Sequence, residues 1–409
     1  MIDSTLSGYK VVELAMWTFV PTAGAVCAEW GAEVLKVEHP KGGDPQRSMF
    51  EDRQSVAAKI MVEHINRGKK SVAIDLACEE GRNLLLQLTD ASDVFLTSFL
   101  APARRRLSIE VEDLRKTNRK LIYARGSGHG QRGPDAEMAG YDVSSGWARS
   151  GLATELMPDS ATEPPLAPPA IVDLQSGLNL ASGIVGALLR RERTGTASEV
   201  DVSLLGTGMW LAAPNLLAAT QGARVLGTTG RLDPAINPLL NNYPTADGRW
   251  IYFVFLQSDR YWDEFCRTIG RADLLVDERF ATSSKRQSNR DECIREVESI
   301  TRGKTLSQWK EILRGVEGPW AAAALVSEAI YDEQILATGM MQEVDTEDGP
   351  VPVMSSPIEY DRAPARRLRR APHAGEDTEE VLSSLGLTTS EISRLHDRGV
   401  IGMDSPGRV

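Results

Sequence analysis

Apolar residues in the first half of the chain come as short continuous runs separated by helix-periodic stretches. Tyr9 to Ala15 (YKVVELA) reads as a buried strand, Pro21 to Trp30 as a short helix, and Glu33 to Glu38 (EVLKVE) as a second strand. The rhythm repeats with SVAIDL from Ser71, a helix from Glu79, DVFLTSF from Asp93, a helix around Val111 to Thr117, and KLIYARGSG from Lys120. Runs without polar alternation suit strands covered on both faces, and their alternation with helices predicts an α/β fold with a mostly parallel sheet. A further strand is expected at SEVDVSLL from Ser198.

The pattern changes after Gly206. Met209 to Ala219 is apolar but interrupted by Pro214, and Gly206 to Arg231 reads as a helix and linker. From Asn237, NPLLNNYPTADGRWIYFVFL predicts a hairpin with aromatic strands, followed by helices to about residue 330. A strand-like piece (GPVPVMSSPIEY), a basic Pro-rich stretch ending in the arginines at 366–370, and a terminal helical pair complete the chain. The expected organisation is a large domain over 1–205, a linker over 206–236, a smaller α+β domain over 237–330, and a return segment over 331–409 packing on the large domain.

Composition narrows the function classes. At 409 residues two domains are expected. A net charge of −11 argues against a nucleic-acid or anionic-membrane surface. Cys27, Cys78, Cys266 and Cys293 form no CxxC, and the five histidines show no paired-ligand spacing, so neither metal nor disulfide is expected. No basic segment followed by a long apolar stretch opens the chain, and the longest apolar span, Leu178 to Leu189, reads as too short for a bilayer; a cytoplasmic protein is the expectation.

Motif by motif, familiar chemistry falls away. The GxGxxG at 128–133 is followed by Pro134-Asp135 rather than an apolar helix, so a dinucleotide site is not expected. Gly68-Lys69-Lys70-Ser71 lacks the early glycine and the magnesium hydroxyl of a phosphate loop, and no GxSxG occurs. What remains is a scatter of strand-end cations, Arg67, Lys69, Lys70, Arg104 to Arg106, Arg125 and Arg132, that together could neutralise a polyanion. Beside them stands Asp173, opening a small-residue-rich helix that contains Ser176, Gly177, Ser182 and Gly183. Facing a cleft, Asp173 is a nucleophile or proton-transfer group; otherwise it is a helix cap.

Six stretches in order, among them LSGYKVVELAMWTFVPTAGAVCAEWGAEVLKVEHPKGGDPQR, NRGKKSVAIDL and VDLQSGLNLASGIVGALLRRERTG, make the chain resemble the family III CoA-transferases (CaiB/BaiF), relatives of the α-methylacyl-CoA racemases. The resemblance implies a Rossmann-like large domain that binds coenzyme A, an interlocked homodimer, and Asp173 as a nucleophile that passes CoA between carboxylic acids through aspartyl anhydride and aspartyl-CoA thioester intermediates. It implies CoA contacts at Thr18, Phe19, His39, Ile74, Ala77, Ser98, Phe99 and Arg106, with Tyr141 and Asp142 near the thioester. His39 and Ser98-Phe99-Leu100 depart from the family pattern. Racemases carry histidine where Tyr141 stands, and tyrosine is a poor base at neutral pH. A racemase working by α-proton transfer and a non-catalytic CoA-ester binding protein remain the competing readings. Carboxylate chemistry at Asp173 is expected to start from an ion held by the helix N-terminus, and Met209, Trp210, Leu211, Trp250 and Tyr252 are expected in an acyl pocket or in plain core.

Overall fold

Six of the apolar runs form parallel strands: β1 (Lys10–Leu14), β2 (Glu33–Glu38), β3 (Lys70–Ile74), β4 (Val94–Thr97), β5 (Ile122–Ser127) and β6 (Glu199–Ser203). The structure is a computed structural model that describes residues 4–49, 56–157, 161–223, 237–361 and 367–403. Parts of the expected linker and of the Arg366 to Arg370 run therefore lie outside the described residues. Spatial order is β3-β2-β1-β4-β5-β6, so the sheet reverses its winding between β1 and β4. In an open parallel sheet that reversal leaves a crevice at the carboxyl ends of the two strands.

Side chains alternate across the sheet and feed two cores. Val11, Val94, Leu96, Ile122 and Ala124 pack with Phe19, Val20, Leu180 and Ile184 on one side. Val12, Leu14, Leu35, Val72, Phe95 and Tyr123 pack with Leu84, Leu88, Val381, Leu382 and Ile392 on the other. The terminal helices Thr378–Ser384 and Thr389–Asp397 thus close the second face, and the short strand Ile401–Gly402 adds antiparallel to β3.

Glu13 of β1 and Lys36 of β2 are fully buried, and Lys69, just before β3, is buried beside them. Lys36 donates to Glu13 at 3.1 Å, to Asp44 at 2.9 Å and to the Ala15 carbonyl at 2.9 Å. Lys69 reaches the other Glu13 oxygen at 2.7 Å and the Pro21 carbonyl at 2.8 Å. Such a network tolerates burial only because each charge has a partner.

Asp173 belongs to a helix of 24 residues, Ile171–Thr194, far longer than the apolar span read from the sequence. By length and composition this helix could cross a membrane, so the length argument does not hold. Its buried face is taken by the sheet and by the helix Phe19–Glu29. Gly177 permits this: a Cβ there would stand 2.5 Å from Thr22 and 2.9 Å from the Phe19 carbonyl. The small residues of this helix serve backbone approach, and Ser182 bonds back to the Leu178 carbonyl.

Among the described residues one compact unit is drawn from Met1–Thr154, Leu166–Ala213 and Leu336–Val409, and a second from Glu155–Pro165 and Pro214–Ile335. The second holds the hairpin β7 (Leu240–Pro244) and β8 (Trp250–Val254), with β9 (Trp320–Ala322) beside β8. Tyr243, Phe253, Phe265 and Trp309 form its core with helices from Ser258, Arg290 and Leu306. Trp250 and Tyr252 point to the outer face of β8 and are exposed, as are Met209, Trp210 and Leu211, so none of these five is core.

Candidate active site

Two adjoining cavities open where β1 and β4 end. The first, about 440 Å³, is lined by Phe19, Ser98, Phe99, Arg106, Tyr141 and Asp173, and also by Met16 and Trp17. The second, about 240 Å³, is lined by His39, Ile74 and Ala77. Met16, Phe99 and Arg106 border both and mark the passage between them. Of the residues named from the sequence, Thr18 and Asp142 line neither. Thr18 is buried, with its carbonyl accepting the Thr22 hydroxyl at 2.8 Å.

Asp142 lies behind the wall, and its position decides what Asp173 is free to do. The Asp173 helix starts from Ala170 in the left-handed region, φ 58°, with no side chain of its own as a cap. Asp142 supplies the cap: its Oδ1 accepts from Val172 N at 2.7 Å and from Asp173 N at 2.8 Å. The second oxygen of Asp142 is buried without a hydrogen-bond partner. No hydrogen bond from the described residues reaches the Asp173 carboxylate, so the aspartate that caps is Asp142.

Burial first, and the charge of Asp142 second, push the Asp173 acid up to about 7 from its ordinary 3.8. This corrects the expectation of a carboxylate held firmly ionised by the helix end. The first-turn amides are satisfied by Asp142, and a carboxylate without donors is raised by desolvation. Near neutrality both forms of Asp173 are populated.

Local packing presents Tyr141 and Asp142 together. Gly128 and Gly140 touch backbone to backbone, since a Cβ on Gly128 would lie 2.7 Å from Gly140 Cα. The chain then enters a wide helical turn, Asp142–Ala148, in which Tyr141 N donates to Ser144 Oγ at 3.0 Å. Tyr141 is exposed, and its ring meets the Trp17 edge at 5.9 Å between centroids with an 84° interplanar angle. His129 does not line the cavity: Nε2 lies 3.2 Å from Ser145 Oγ and Nδ1 3.4 Å from the Met138 carbonyl.

The expected scatter of cations resolves differently from a basic rim. Arg67 pairs with Glu29, Lys69 with Glu13, Lys70 with Glu380, Arg104 with Glu110, Arg105 with Glu137, and Arg125 with Glu199 and Asp201. Arg106 and Arg132 have no ion-pair partner among the described residues, and only Arg106, exposed at the passage, lines a cavity. Internal carboxylates neutralise the others because a net negative chain places acids beside most of its strand-end cations. His39 is also exposed, its Nδ1 accepting from Lys41 N at 3.0 Å.

Trp17 is a cavity-lining position that the sequence did not mark. Its φ of 68° lies in a region that bulky residues rarely adopt. Trp17 N donates to Asp44 Oδ1 at 3.1 Å, and the preceding Met16 N donates to Ser98 Oγ at 3.0 Å. Ser98, where the family pattern differs, thus holds the loop after β1. No periodicity or motif announces a left-handed tryptophan.

Comparison with known proteins agrees with this architecture. The family model described as CoA-transferase family III matches residues 6–378. The chain is 30% identical over 397 residues to cinnamoyl-CoA:phenyllactate CoA-transferase of Clostridium sporogenes, covering 95% of each chain. It is 32% identical over 392 residues to succinate–glutarate CoA-transferase of Agrobacterium fabrum, covering 93% of this chain and 95% of the relative. A crystal structure of a CaiB/BaiF family protein from Brucella suis superposes with a TM-score of 0.79 at 28% identity, over 93% of this chain and 99% of the other.

Proposed function

The chain belongs to CoA-transferase family III, and from that premise we propose that it moves coenzyme A between two carboxylic acids with Asp173 as the covalent acceptor. The observation that carries the assignment is an aspartate without hydrogen-bond donors among the described residues, on the wall of a 440 Å³ cavity, raised to about 7 while its neighbour Asp142 takes over the capping. A carboxylate titrating there is a stronger nucleophile than an ordinary one and is still ionised in good part at neutral pH.

The ionised Asp173 attacks the thioester carbonyl of R–CO–SCoA, the C–S bond breaks, and a mixed anhydride and CoA thiolate result. The thiolate attacks the aspartyl carbonyl, leaving R–COO⁻ and an aspartyl-CoA thioester. An incoming R′–COO⁻ attacks that thioester to give a second anhydride and thiolate. Attack of the thiolate on the R′ carbonyl then yields R′–CO–SCoA and restores the carboxylate. One thioester is exchanged for another, so no external energy source enters. Arg106 at the passage and the second cavity, with His39, Ile74 and Ala77, receive the nucleotide end of CoA in this reading; Thr18 and Asp142 act behind the wall.

Racemisation needs a second base opposite Asp173. A tyrosine, which stands at 141, is as a residue type a poor general base, and His129 is engaged with Ser145 outside the cavity, which favours transfer. Mass spectrometry after brief incubation with acyl-CoAs, followed by hydroxylamine and peptide mapping, tests the assignment: a hydroxamate on the Asp173 peptide is expected, and its absence with turnover intact would refute it. An intact Asp173→Asn enzyme with wild-type turnover would do the same.

A homodimer, interlocked as the family resemblance implies, is part of this proposal. Trp210, 77% exposed on the helix Leu204–Leu211, and its neighbours Met209 and Leu211 offer apolar surface for a second copy to cover. Light scattering that gave a monomer at micromolar concentration would rule this out.

A further inference from the structure

We infer that Asp44 is a positioning residue for coenzyme A: it holds the Trp17 backbone in a conformation that a tryptophan would otherwise leave, and so keeps the wall of the two cavities formed before coenzyme A enters. The inference rests on the proposal that these cavities receive coenzyme A, because it concerns how their wall is kept in place.

Residues 15–17 leave the end of β1 and run along both cavities: Ala15 lines the second, Met16 both, and Trp17 the first. Three consecutive backbone groups of this segment are tied by side chains from elsewhere in the chain. The Ala15 carbonyl accepts from Lys36 Nζ at 2.9 Å, Met16 N donates to Ser98 Oγ at 3.0 Å, and Trp17 N donates to Asp44 Oδ1 at 3.1 Å. Asp44 is in turn fixed on every side. Its Oδ1 also accepts from Gln46 N at 3.0 Å, its Oδ2 accepts from Lys36 Nζ at 2.9 Å, and its own N donates to Glu38 Oε1 at 2.9 Å. Although Asp44 borders the second cavity it is only 2% exposed, with both oxygens engaged, so it acts on coenzyme A through Trp17 rather than by contact.

The size of the effect follows from the backbone. Trp17 has φ 68°, in the left-handed region, which disfavours an L residue with a side chain by roughly a factor of 10. Such a conformation persists only where the surroundings over-determine it. With the Asp44 carboxylate removed, Trp17 returns to ordinary backbone in most molecules, and about one in 10 keeps the wall in place. Affinity then falls by that fraction, because only the formed conformer binds. Glycine has no such preference and would keep the wall in about half of the molecules without help from Asp44.

Binding of free coenzyme A is measured by calorimetry, beside urea midpoints, for wild type, Asp44→Ala, Asp44→Asn, Trp17→Gly and the Trp17→Gly/Asp44→Ala double variant. Asp44→Ala should weaken binding by about 10-fold in the wild-type background and by only about 2-fold in the Trp17→Gly background. Asp44→Asn keeps an oxygen for the Trp17 amide and should bind within about 2-fold of wild type, even though losing the charge beside Lys36 lowers its urea midpoint. An equal loss in both backgrounds, an Asp44→Asn chain that binds as weakly as Asp44→Ala, or wild-type affinity in Asp44→Ala would overturn the inference and leave the cavities as the coenzyme A site. No binding of coenzyme A by the wild type would overturn both. Should Asp44→Ala fail to fold, hydrogen exchange of the Trp17 amide in the wild type decides: protection already present without coenzyme A is expected, and protection that arises only on its addition overturns the inference.

Discussion

Replacing Asp173 by asparagine should make the protein inactive and, above neutral pH, more stable. The folded chain holds this acid at about 7, whereas the unfolded chain titrates it near 3.8. Between those values the folded state keeps a proton that the unfolded state has lost, so stability falls as pH rises through the window and levels off above it. Three units correspond to roughly 4 kcal/mol at most, and the carboxylate keeps some exposure, so about 1–3 kcal/mol is the expected gain for Asp173→Asn at pH 8. About 60% of the effect falls between pH 5 and pH 8 by the same linkage relation. The introduced amide also brings a donor near Asp142, whose second oxygen has none. Urea titrations of wild type and variant at both pH values, compared by midpoint at unchanged slope, read the effect. A gain of equal size at pH 5 and pH 8, or a loss at pH 8, would refute the reasoning that burial and Asp142 raise this acid.

Further expectations follow from neighbouring residues. Asp142→Ala should cost about 1 kcal/mol through loss of the helix cap and should move the midpoint of pH-dependent Asp173 labelling to lower pH; an unmoved midpoint would remove Asp142 from the electrostatics of the site. Arg106→Ala should weaken coenzyme A binding about 10-fold by calorimetry and reduce its salt dependence while leaving the melting temperature unchanged, since the guanidinium makes no ion pair with the described residues. Unchanged affinity would place the phosphates elsewhere. Lys36→Met should destabilise by about 3–5 kcal/mol because Glu13 and Asp44 remain buried beside it, and an unaltered denaturation midpoint would show the network to be dispensable.

Much of the large sheet was legible because its strands are buried on both faces and read as continuous apolar runs between helical stretches. β2 was expected over the same Glu33–Glu38 that the structure shows, and the others shifted by one or two residues at their ends. The hairpin at Tyr243 to Trp250 announced itself by aromatic strands around a Gly-containing turn. Short elements escaped: the helix Ala101–Leu107 and the two-residue strand Ile401–Gly402 have too few residues to show a period.

At the site, the sequence by itself singled out Asp173, Tyr141, Phe99 and Arg106 as residues to watch, through a family pattern carried over six separated stretches. It could not assign their states, which depend on partners brought from distant segments. That Asp142, 31 residues earlier, caps the Asp173 helix, while no donor among the described residues reaches the Asp173 carboxylate, is set by tertiary contact. So is the neutralisation of Lys69, Arg104 and Arg125, which leaves Arg106 as the cation without an ion pair, among the described residues, at the passage between the cavities. The sequence determined the order of strands and helices because burial periodicity is local. Only the tertiary structure decided which charges stay free and where Trp17 points, because desolvation and ion pairing are set by neighbours in space.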